Sequence, residues 1–426
     1  MRKISGHLRW AAGFVLLLTV SFFTLASVQE MAPADLLKTA EEIVQQVARL
    51  RGLEPKAPIP MGVKSRDEIS NFLNEHVREN IEEGELQSEG KMLHRLGLIP
   101  PSMDYKDFTL KLLTEQIGGY YDPDKKTFFI AGWLPAEQQK PVMVHELTHA
   151  LQDQYFDLNK VLHEERKLHN DDRMLARQAI FEGDGMAVML NFILQPAKRN
   201  FASLPDLVFV MRSQFGTMDS QFEVFKSAPI YLKEILLFPY GYGAAFLQKV
   251  WAAKPSWEAV NKVYSDLPVS TEQIIHPEKY LGTRDNPKPA EYEDPAVRLG
   301  KGWKISYKNV LGEFTIDLLL RLNLSEEQAS RVAAGWGGDQ VLLLENEAGK
   351  DIVFAATTWD TADDADEFYQ AMSDWLQRKY PKGHKATPSP NGFSLTQDGE
   401  FHMIQRDGLK IQFMLGLPEA DAPKLK

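Results

Sequence analysis

The segment from Val144 to Ala150 contains two histidines four residues apart, with a glutamate directly after the first: His145, Glu146 and His149. On a helix, this spacing places both imidazoles on one face, where they can bind a single metal ion. Glu146 would lie beside them and could accept a proton from a water molecule that the metal activates, without being a ligand itself. The pattern therefore predicts metal-assisted hydrolysis of a carbonyl compound, against the alternative of two histidines that bind no metal.

The identity of the third metal ligand is restricted by composition. A catalytic zinc site normally has three protein ligands and leaves one position for water. The chain contains no cysteine, which excludes disulfides, thiol nucleophiles and cysteine-based metal sites. The third ligand must therefore be a histidine, an aspartate or a glutamate.

Glu182 is the residue that best fits this third position. It lies in a predicted helix, Arg173–Leu194, on a stripe whose other members are apolar: Leu175, Ala179, Met186 and Leu190. A carboxylate in such a stripe is costly to bury unless a charge partner meets it, and a zinc ion would be such a partner. The neighbouring Gly183 and Gly185 permit close approach of a facing helix. A salt bridge to Arg173 or Arg177 is the alternative explanation for this glutamate.

The histidine motif followed by a glutamate on a second helix resembles the gluzincins, the thermolysin-like class of zinc metallopeptidases. The chain also resembles uncharacterised exported bacterial proteins of this class, and the specific resemblance covers roughly residues 117–190. The resemblance implies a zincin-like fold with Zn²⁺ as cofactor and a peptide or protein as substrate. It also implies His145, His149 and Glu182 as zinc ligands, Glu146 as general base and Asp153 as an acidic residue that supports the site.

One position departs from the family pattern. The family often has an aspartate four residues after the glutamate ligand to orient a histidine, and here that position is Met186. Asp184 is the available substitute for fixing the tautomer of His145, although residues two apart on a helix point to different sides.

The oxyanion of the transition state usually needs a hydrogen-bond donor besides the metal. The chain offers three candidates after Glu182, namely His276, Tyr240 and Tyr242. We take His276 as the first of these, with the alternative that it only contacts the carbonyl groups at the end of its helix.

The elements that must position these residues are mainly helical. Two long helices are predicted at 137–155 and 173–194, preceded by a β-hairpin over 117–130 whose strand edge could pair with an extended substrate. We predict an α+β protein with an N-terminal helical region (28–110), a zincin-like domain (111–282) and a small C-terminal α+β module (296–426). The Pro- and Asn-rich segment 282–295 is the predicted linker.

The N-terminus and the overall charge bear on location and partners. Residues 1–27 combine positive charges with an apolar stretch, Trp10–Ala26, which predicts either a cleaved signal peptide or an uncleaved membrane anchor. The protein is then exported, to the periplasm or beyond the cell. A net charge of −11 over 426 residues argues against nucleic acid as a partner.

Three functions remain compatible with these patterns. The first is an exported zinc metallopeptidase. The second is a zinc-binding envelope protein that holds peptides or partners without cleaving them, and the third is a hydrolase of cell-wall amide bonds. An intact Glu146 favours an enzyme, because a binding protein needs no base beside the metal.

Overall fold

The computed structural model describes residues 32–80, 84–165, 168–300, 302–385 and 391–425. The structure combines a large helical region with a small three-stranded sheet and a C-terminal seven-stranded sheet, and the prediction of an α+β protein with a small sheet and a C-terminal α+β part is confirmed. The predicted signal peptide or anchor over 1–27 lies outside the described residues.

The first part of the chain is helical apart from one short strand. Its elements are α1 (Pro33–Arg51), β1 (Met61–Lys64), α2 (Arg66–Asn80), α3 (Glu85–Leu96) and α4 (Tyr105–Gln116). Leu36, Ala40, Ile43 and Val47 form the buried stripe of α1, which packs mainly on the helix that carries the histidine motif.

The predicted hairpin is present and belongs to a three-stranded sheet. It comprises β2 (Gly119–Asp122) and β3 (Thr127–Ala131), which pair antiparallel, while β1 pairs parallel with β3 on the other side. The parallel strand is missing from the sequence-based prediction, because four residues such as Met61–Lys64 are too few for periodicity to identify. Strand β2 is thus at the edge of the sheet and packs against the histidine-motif helix.

The middle of the chain is a group of packed helices. They are α5 (Ala136–Phe156), α6 (Leu158–Glu165), α7 (Asp171–Leu194), α8 (Leu207–Arg212), α9 (Phe215–Gln221), α10 (Glu223–Ser227), α11 (Ile230–Ala253), α12 (Trp257–Ser265), α13 (Thr271–Ile275) and α14 (Glu278–Leu281). Asn170 caps the start of α7 by accepting a hydrogen bond from the backbone N–H of Arg173, which extends the predicted helix by two residues.

Helices α7 and α11 touch along much of their length because glycines line the crossing. A Cβ atom built on Gly243 would lie 1.9 Å from the carbonyl oxygen of Ala179, and one built on Gly183 would lie 2.3 Å from the carbonyl carbon of Gly243. No larger residue fits these positions without moving a backbone.

The last part of the chain forms a seven-stranded sheet with helices packed on it. Its elements are α15 (Pro295–Leu299), β4 (Trp303–Asn309), α16 (Gly312–Leu320), α17 (Glu326–Ala333), β5 (Trp336–Asn346), β6 (Asp351–Trp359), α18 (Ala362–Lys379), β7 (His384–Lys385), β8 (Gly392–Gln397), β9 (Glu400–Asp407) and β10 (Lys410–Pro418). The strands pair antiparallel in the order β4-β5-β6-β10-β9-β8-β7.

One hydrophobic core runs through all these regions. It extends from Leu36 of α1 through Leu147 of α5 and Ile180 of α7 to Leu415 of β10. A smaller cluster around Leu344 covers the opposite face of the large sheet. The helices that carry the predicted site are therefore packed from both the N-terminal and the C-terminal side.

Candidate metal centre

Helices α5 and α7 bring the three predicted metal ligands together. The Nε2 atoms of His145 and His149 lie 2.9 Å apart, as the four-residue spacing on α5 predicts. Glu182 Oε2, from α7, lies 2.9 Å from His145 Nε2 and 3.3 Å from His149 Nε2. All three side chains are at most 1% exposed, so the cluster is enclosed by protein.

Glu146 is adjacent to this cluster and is also fully buried. Its Oε2 accepts a hydrogen bond of 2.9 Å from the backbone N–H of Tyr121 in β2. Burial raises the pKa of Glu146 well above its usual range, and the negative charge of Glu182 contributes to the increase. The edge strand therefore holds this carboxyl in place.

The ring of His149 is oriented by a residue that the sequence-based prediction missed. His149 Nδ1 lies 2.8 Å from Gln152 Oε1, and Gln152 Nε2 donates to the carbonyl oxygen of Phe181 at 3.0 Å. Gln152 follows His149 by three residues on α5, a spacing that places both side chains on one face. That spacing was a signal available in the sequence.

The three ligand side chains have mutually dependent pKa values. Burial lowers the pKa of His145 to about 4, which leaves its ring neutral with a lone pair available. Burial acts to lower the pKa of His149 as well. The negatively charged Glu182 carboxylate outweighs this effect and raises the pKa of His149 to about 9. Against the effect of burial, His149 in turn lowers the pKa of Glu182. A positive charge at this cluster is thus favourable, and a metal ion would supply it in place of the proton.

The residues present fit a divalent metal ion. Ligand atoms about 2.0–2.1 Å from a tetrahedral zinc ion lie roughly 3.3 Å from one another, close to the separations observed here. Three buried polar atoms, His145 Nδ1, Glu146 Oε1 and Glu182 Oε1, have no hydrogen-bond partner among the described residues. Two imidazoles and one carboxylate are a donor set typical of catalytic zinc.

Glu182 does not form the alternative salt bridge to an arginine of its own helix. Arg173 Nε donates to Glu165 Oε2 at 2.8 Å, and Arg177 pairs with the other oxygen of Glu165. Both arginines thus neutralise a carboxylate of α6, and the partners of Glu182 are the two histidines.

Asp153 supports the site through a neighbouring side chain. Its Oδ2 accepts hydrogen bonds from Tyr121 Oη at 2.8 Å and from Lys126 Nζ at 3.0 Å. Tyr121 is also the residue whose backbone N–H holds Glu146. Asp153 therefore anchors the hairpin beside the cluster through Tyr121 and Lys126.

The prediction that Asp184 orients His145 is wrong. Both oxygens of Asp184 accept from Arg51 Nε, at 2.7 and 2.9 Å, and Tyr264 Oη donates to Asp184 Oδ2 at 2.7 Å. Residues two apart on a helix diverge, so Asp184 faces α1 and α12 while Glu182 faces the histidines. The position beside His145 is instead occupied by Gly185, where a built Cβ would lie 2.7 Å from the Cε1 atom of that histidine.

The prediction that His276 donates to the oxyanion is also wrong. His276 Nε2 lies 2.8 Å from Glu313 Oε1, and its Nδ1 lies 3.7 Å from Glu278 Oε1. The residue ends α13 and pairs with α16, so it belongs to the junction with the C-terminal part.

Of the two tyrosines considered beside His276, Tyr240 is the one near the cluster. Its ring centre lies 5.9 Å from that of His145, and its side chain is buried. Burial raises the pKa of Tyr240 well above its usual value, and Glu182 and Glu146 add to the increase, so the hydroxyl stays protonated. Tyr242 instead accepts a hydrogen bond of 3.2 Å from Arg212 Nη2.

A second group of three carboxylates comprises Glu272, Asp285 and Asp360. Lys279 Nζ lies among them, at 2.5 Å from Glu272, 3.7 Å from Asp285 and 3.4 Å from Asp360. The ammonium group supplies the positive charge here, and the group is an ion-pair network.

An apolar cavity of about 800 Å³ lies near the cluster of His145, His149 and Glu182, with Tyr240 between them and none of the three residues in its lining. Its buried end is lined by Tyr240 and Met186, and its exposed end by Gln195, Pro196 and Lys140. Since Tyr240 belongs both to this cavity and to the surroundings of His145, the cavity leads toward the cluster.

Comparison with known proteins identifies only the C-terminal part. A family model described as "Domain of unknown function (DUF8575)" matches residues 303–424, which begin with β4 and contain the whole seven-stranded sheet. No curated protein and no solved structure matches the chain. The cluster of His145, His149 and Glu182 lies outside the matched range.

In the described part of the chain, no helix is both long and apolar enough to span a membrane.

Proposed function

We propose that the protein is an exported zinc-dependent metallopeptidase in which His145, His149 and Glu182 hold the metal and Glu146 is the general base. The observation that carries the proposal is the convergence of these four buried side chains from α5 and α7. A buried carboxyl beside a fitting metal site is the arrangement that hydrolytic chemistry requires.

Each residue has a distinct part in the proposed reaction. Bound zinc would polarise the substrate carbonyl and make water more acidic. Glu146, whose second oxygen Oε1 is free of hydrogen bonds to the described residues, accepts the proton of the attacking water and later passes it to the leaving nitrogen. The Tyr121 N–H fixes the carboxyl during both transfers, and the Tyr240 hydroxyl donates to the developing oxyanion.

Two further functions share the same metal site. A cell-wall amide hydrolase would use the same residues on a different substrate, and a zinc-binding protein without activity would use only the ligands. The enclosed position of Glu146 and its backbone hydrogen bond favour a hydrolase, because positioning a base serves no purpose in a binding protein.

Metal content tests the ligand assignment. Replacing His145 or Glu182 by alanine is expected to abolish stoichiometric zinc binding, measured by elemental analysis after dialysis. His163→Ala is the matched control, because His163 is a 40% exposed histidine on α6 that should leave zinc bound. If both site variants retain zinc like the control, the site is wrongly assigned.

Substrate tests separate the three functions. The zinc-loaded protein is incubated with casein and, separately, with peptidoglycan, and new amino groups are counted. We expect casein to be cleaved. Cleavage of peptidoglycan alone would identify a cell-wall amide hydrolase, and stoichiometric zinc with no cleavage of either would indicate a binding protein.

A further inference from the structure

The apolar cavity next to the metal cluster is built on the same helix faces as the cluster itself. Pro141 lies one turn before His145 on α5, and Met186 lies one turn after Glu182 on α7. On α11, Ala244 follows Tyr240 by one turn. On each of these three helices, an apolar residue that lines the cavity therefore lies one turn away from a residue of the candidate site.

Met186, Tyr240 and Ala244 are at most 3% exposed. Ile193, Leu204 and Val210 are half-buried, and Gln195 at the far end is exposed. Such a gradient describes an elongated site that is open at one end and has the candidate catalytic residues at the other.

The walls of the cavity suit hydrocarbon and do not suit an extended peptide. The lining residues belong to helices, to 3₁₀ turns or to the residues beside them, so their backbone groups are already hydrogen-bonded. Leu204, which lies between two such elements, has its carbonyl oxygen bonded to Gln248 Nε2 at 3.3 Å. An extended peptide in the cavity would leave its amide groups unpaired, and every unpaired amide costs as much as a lost hydrogen bond.

The dimensions also limit a helical peptide to a short segment. A helix with side chains is about 10 Å across, so about 800 Å³ would hold only about two turns of it. A hydrocarbon chain has no amide groups that need hydrogen bonds, and its binding becomes more favourable with every CH₂ group removed from water.

We propose that this cavity binds a long acyl chain and that the preferred substrates are amide bonds joining such a chain to an amino acid or peptide. The chain lies along the cavity with its carbonyl group at the metal cluster. A protein substrate fills only the buried end, with one apolar side chain. The chemistry rests on the function proposed above, whereas the binding of the chain does not.

The reaction at such a bond is a hydrolysis. The water oxygen forms a bond to the acyl carbon, and the C–N bond breaks with its electron pair remaining on nitrogen. Glu146 carries a proton from the water to that nitrogen. The second proton of the water leaves the new carboxylic acid for the amine, so the products are a long-chain carboxylate and an ammonium group, and no other reactant is needed.

Binding of acyl chains by the zinc-free full chain tests the proposal independently of catalysis. Hexanoyl-, decanoyl- and tetradecanoyl-glycine are titrated calorimetrically. We expect the Kd to fall by about fourfold for each added CH₂ while the chain still lies within the cavity. A Kd that does not depend on chain length overturns the proposal.

Matched variants locate the bound chain. Val210→Trp fills the cavity from α8, and Leu194→Trp fills it from α7; both sites are half-buried, so the fold should tolerate the larger side chain. Each is expected to weaken tetradecanoyl-glycine binding at least tenfold and hexanoyl-glycine binding little. The control Phe209→Trp changes the neighbouring residue on α8, which is 71% exposed, and should bind like the wild type. Equal binding by all three variants overturns the proposal.

Activity distinguishes this proposal from the one on which it rests. The zinc-loaded protein should hydrolyse tetradecanoyl-glycine faster than acetyl-glycine, and Val210→Trp should remove that difference. Cleavage of casein without any preference for acyl chains overturns the acyl-chain proposal alone. Length-dependent binding without hydrolysis of any substrate overturns the metallopeptidase and leaves the cavity assignment standing.

Discussion

The candidate metal site depends on the side chains that hold its proposed ligands, and Gln152 holds His149. Gln152 Oε1 accepts a hydrogen bond from His149 Nδ1, and Gln152 Nε2 donates to the carbonyl oxygen of Phe181. The histidine ring is thereby tied to α7, the helix that also carries Glu182. An outer partner of this kind fixes the ring orientation and the tautomer that a metal needs.

Removing this partner is expected to weaken zinc binding. Gln152→Ala should raise the Kd for zinc by about 10–100-fold, because His149 can then rotate out of the ligand position. The measurement is a titration against a chelator that competes for zinc. Gln154→Ala is the control, since Gln154 lies on the same helix but bonds to Lys56 and Ala57 at the surface. The same loss in both variants would contradict this role of Gln152.

At the scale of helices, the site depends on how closely α7 and α11 approach each other. Gly183 and Gly243 face one another at the crossing, and a Cβ on Gly243 would lie 1.9 Å from the carbonyl oxygen of Ala179. This contact sets the distance between Tyr240 on α11 and the cluster on α5 and α7.

A methyl group at the crossing should therefore force the helices apart. We expect Gly243→Ala to lower the free energy of unfolding by at least about 2–3 kcal/mol, measured by urea denaturation, since backbone on both sides prevents relaxation. Gly216→Ala in α9 is the control, where a built Cβ meets nothing within 4 Å and removal of glycine should gain about 0.5–1 kcal/mol. Two variants of equal stability would show that the crossing is not tightly packed.

Local spacing explains which parts of the site were predictable from the sequence. His145, Glu146 and His149 follow from one helical repeat, and Glu182 follows from its place in an apolar stripe. The partner of Asp184, by contrast, is Arg51, which lies 133 residues earlier in the chain. No periodicity encodes such a contact, because it is set by the packing of α1 on α7.

The same distinction applies to the fold. The long helices and the pairing of β2 with β3 have strong local patterns and were predicted. The parallel strand β1 and the edge strand β7 were not, since each has four residues or fewer and is defined by the strand it joins. The position of His276 was likewise decided by tertiary contacts, with α16 supplying its partner.

Across the whole molecule, α7 is held from both ends of the chain. Arg51 of α1 binds Asp184. Near the start of α7, Asp172 accepts hydrogen bonds from both the hydroxyl and the backbone N–H of Thr271. Gly312, at the start of α16, packs directly on Asp172, and its N–H donates to Asp339 of β5. The C-terminal part thus reaches the helix that carries Glu182 through a buried polar junction.

This junction should make stability depend on pH. Burial raises the pKa of Asp172 to about 7, and the nearby Asp339 and Glu313 oppose its ionisation further, although the bonds from Thr271 act the other way. The folded protein then binds a proton that the unfolded chain releases near pH 3.8. The resulting stability is fully present below that pH and is lost as the pH rises through about 7.

Asp172→Asn is expected to remove this part of the pH dependence. The amide oxygen can still accept from Thr271, and the variant no longer ionises. Urea denaturation between pH 4 and 8 should show wild-type stability falling relative to the variant by up to about 1.4 kcal/mol per pH unit. Parallel curves for the two proteins would contradict the assignment of a protonated Asp172.

The proposed role of Glu146 as the base of a zinc-dependent hydrolase is tested by the rate of casein cleavage by Glu146→Gln. The variant keeps the shape and the acceptor oxygen for the Tyr121 N–H but accepts no proton. We predict unchanged zinc content and a kcat lower than that of the wild type by about 10²–10⁴-fold. Equal rates for the two zinc-loaded proteins would contradict the account.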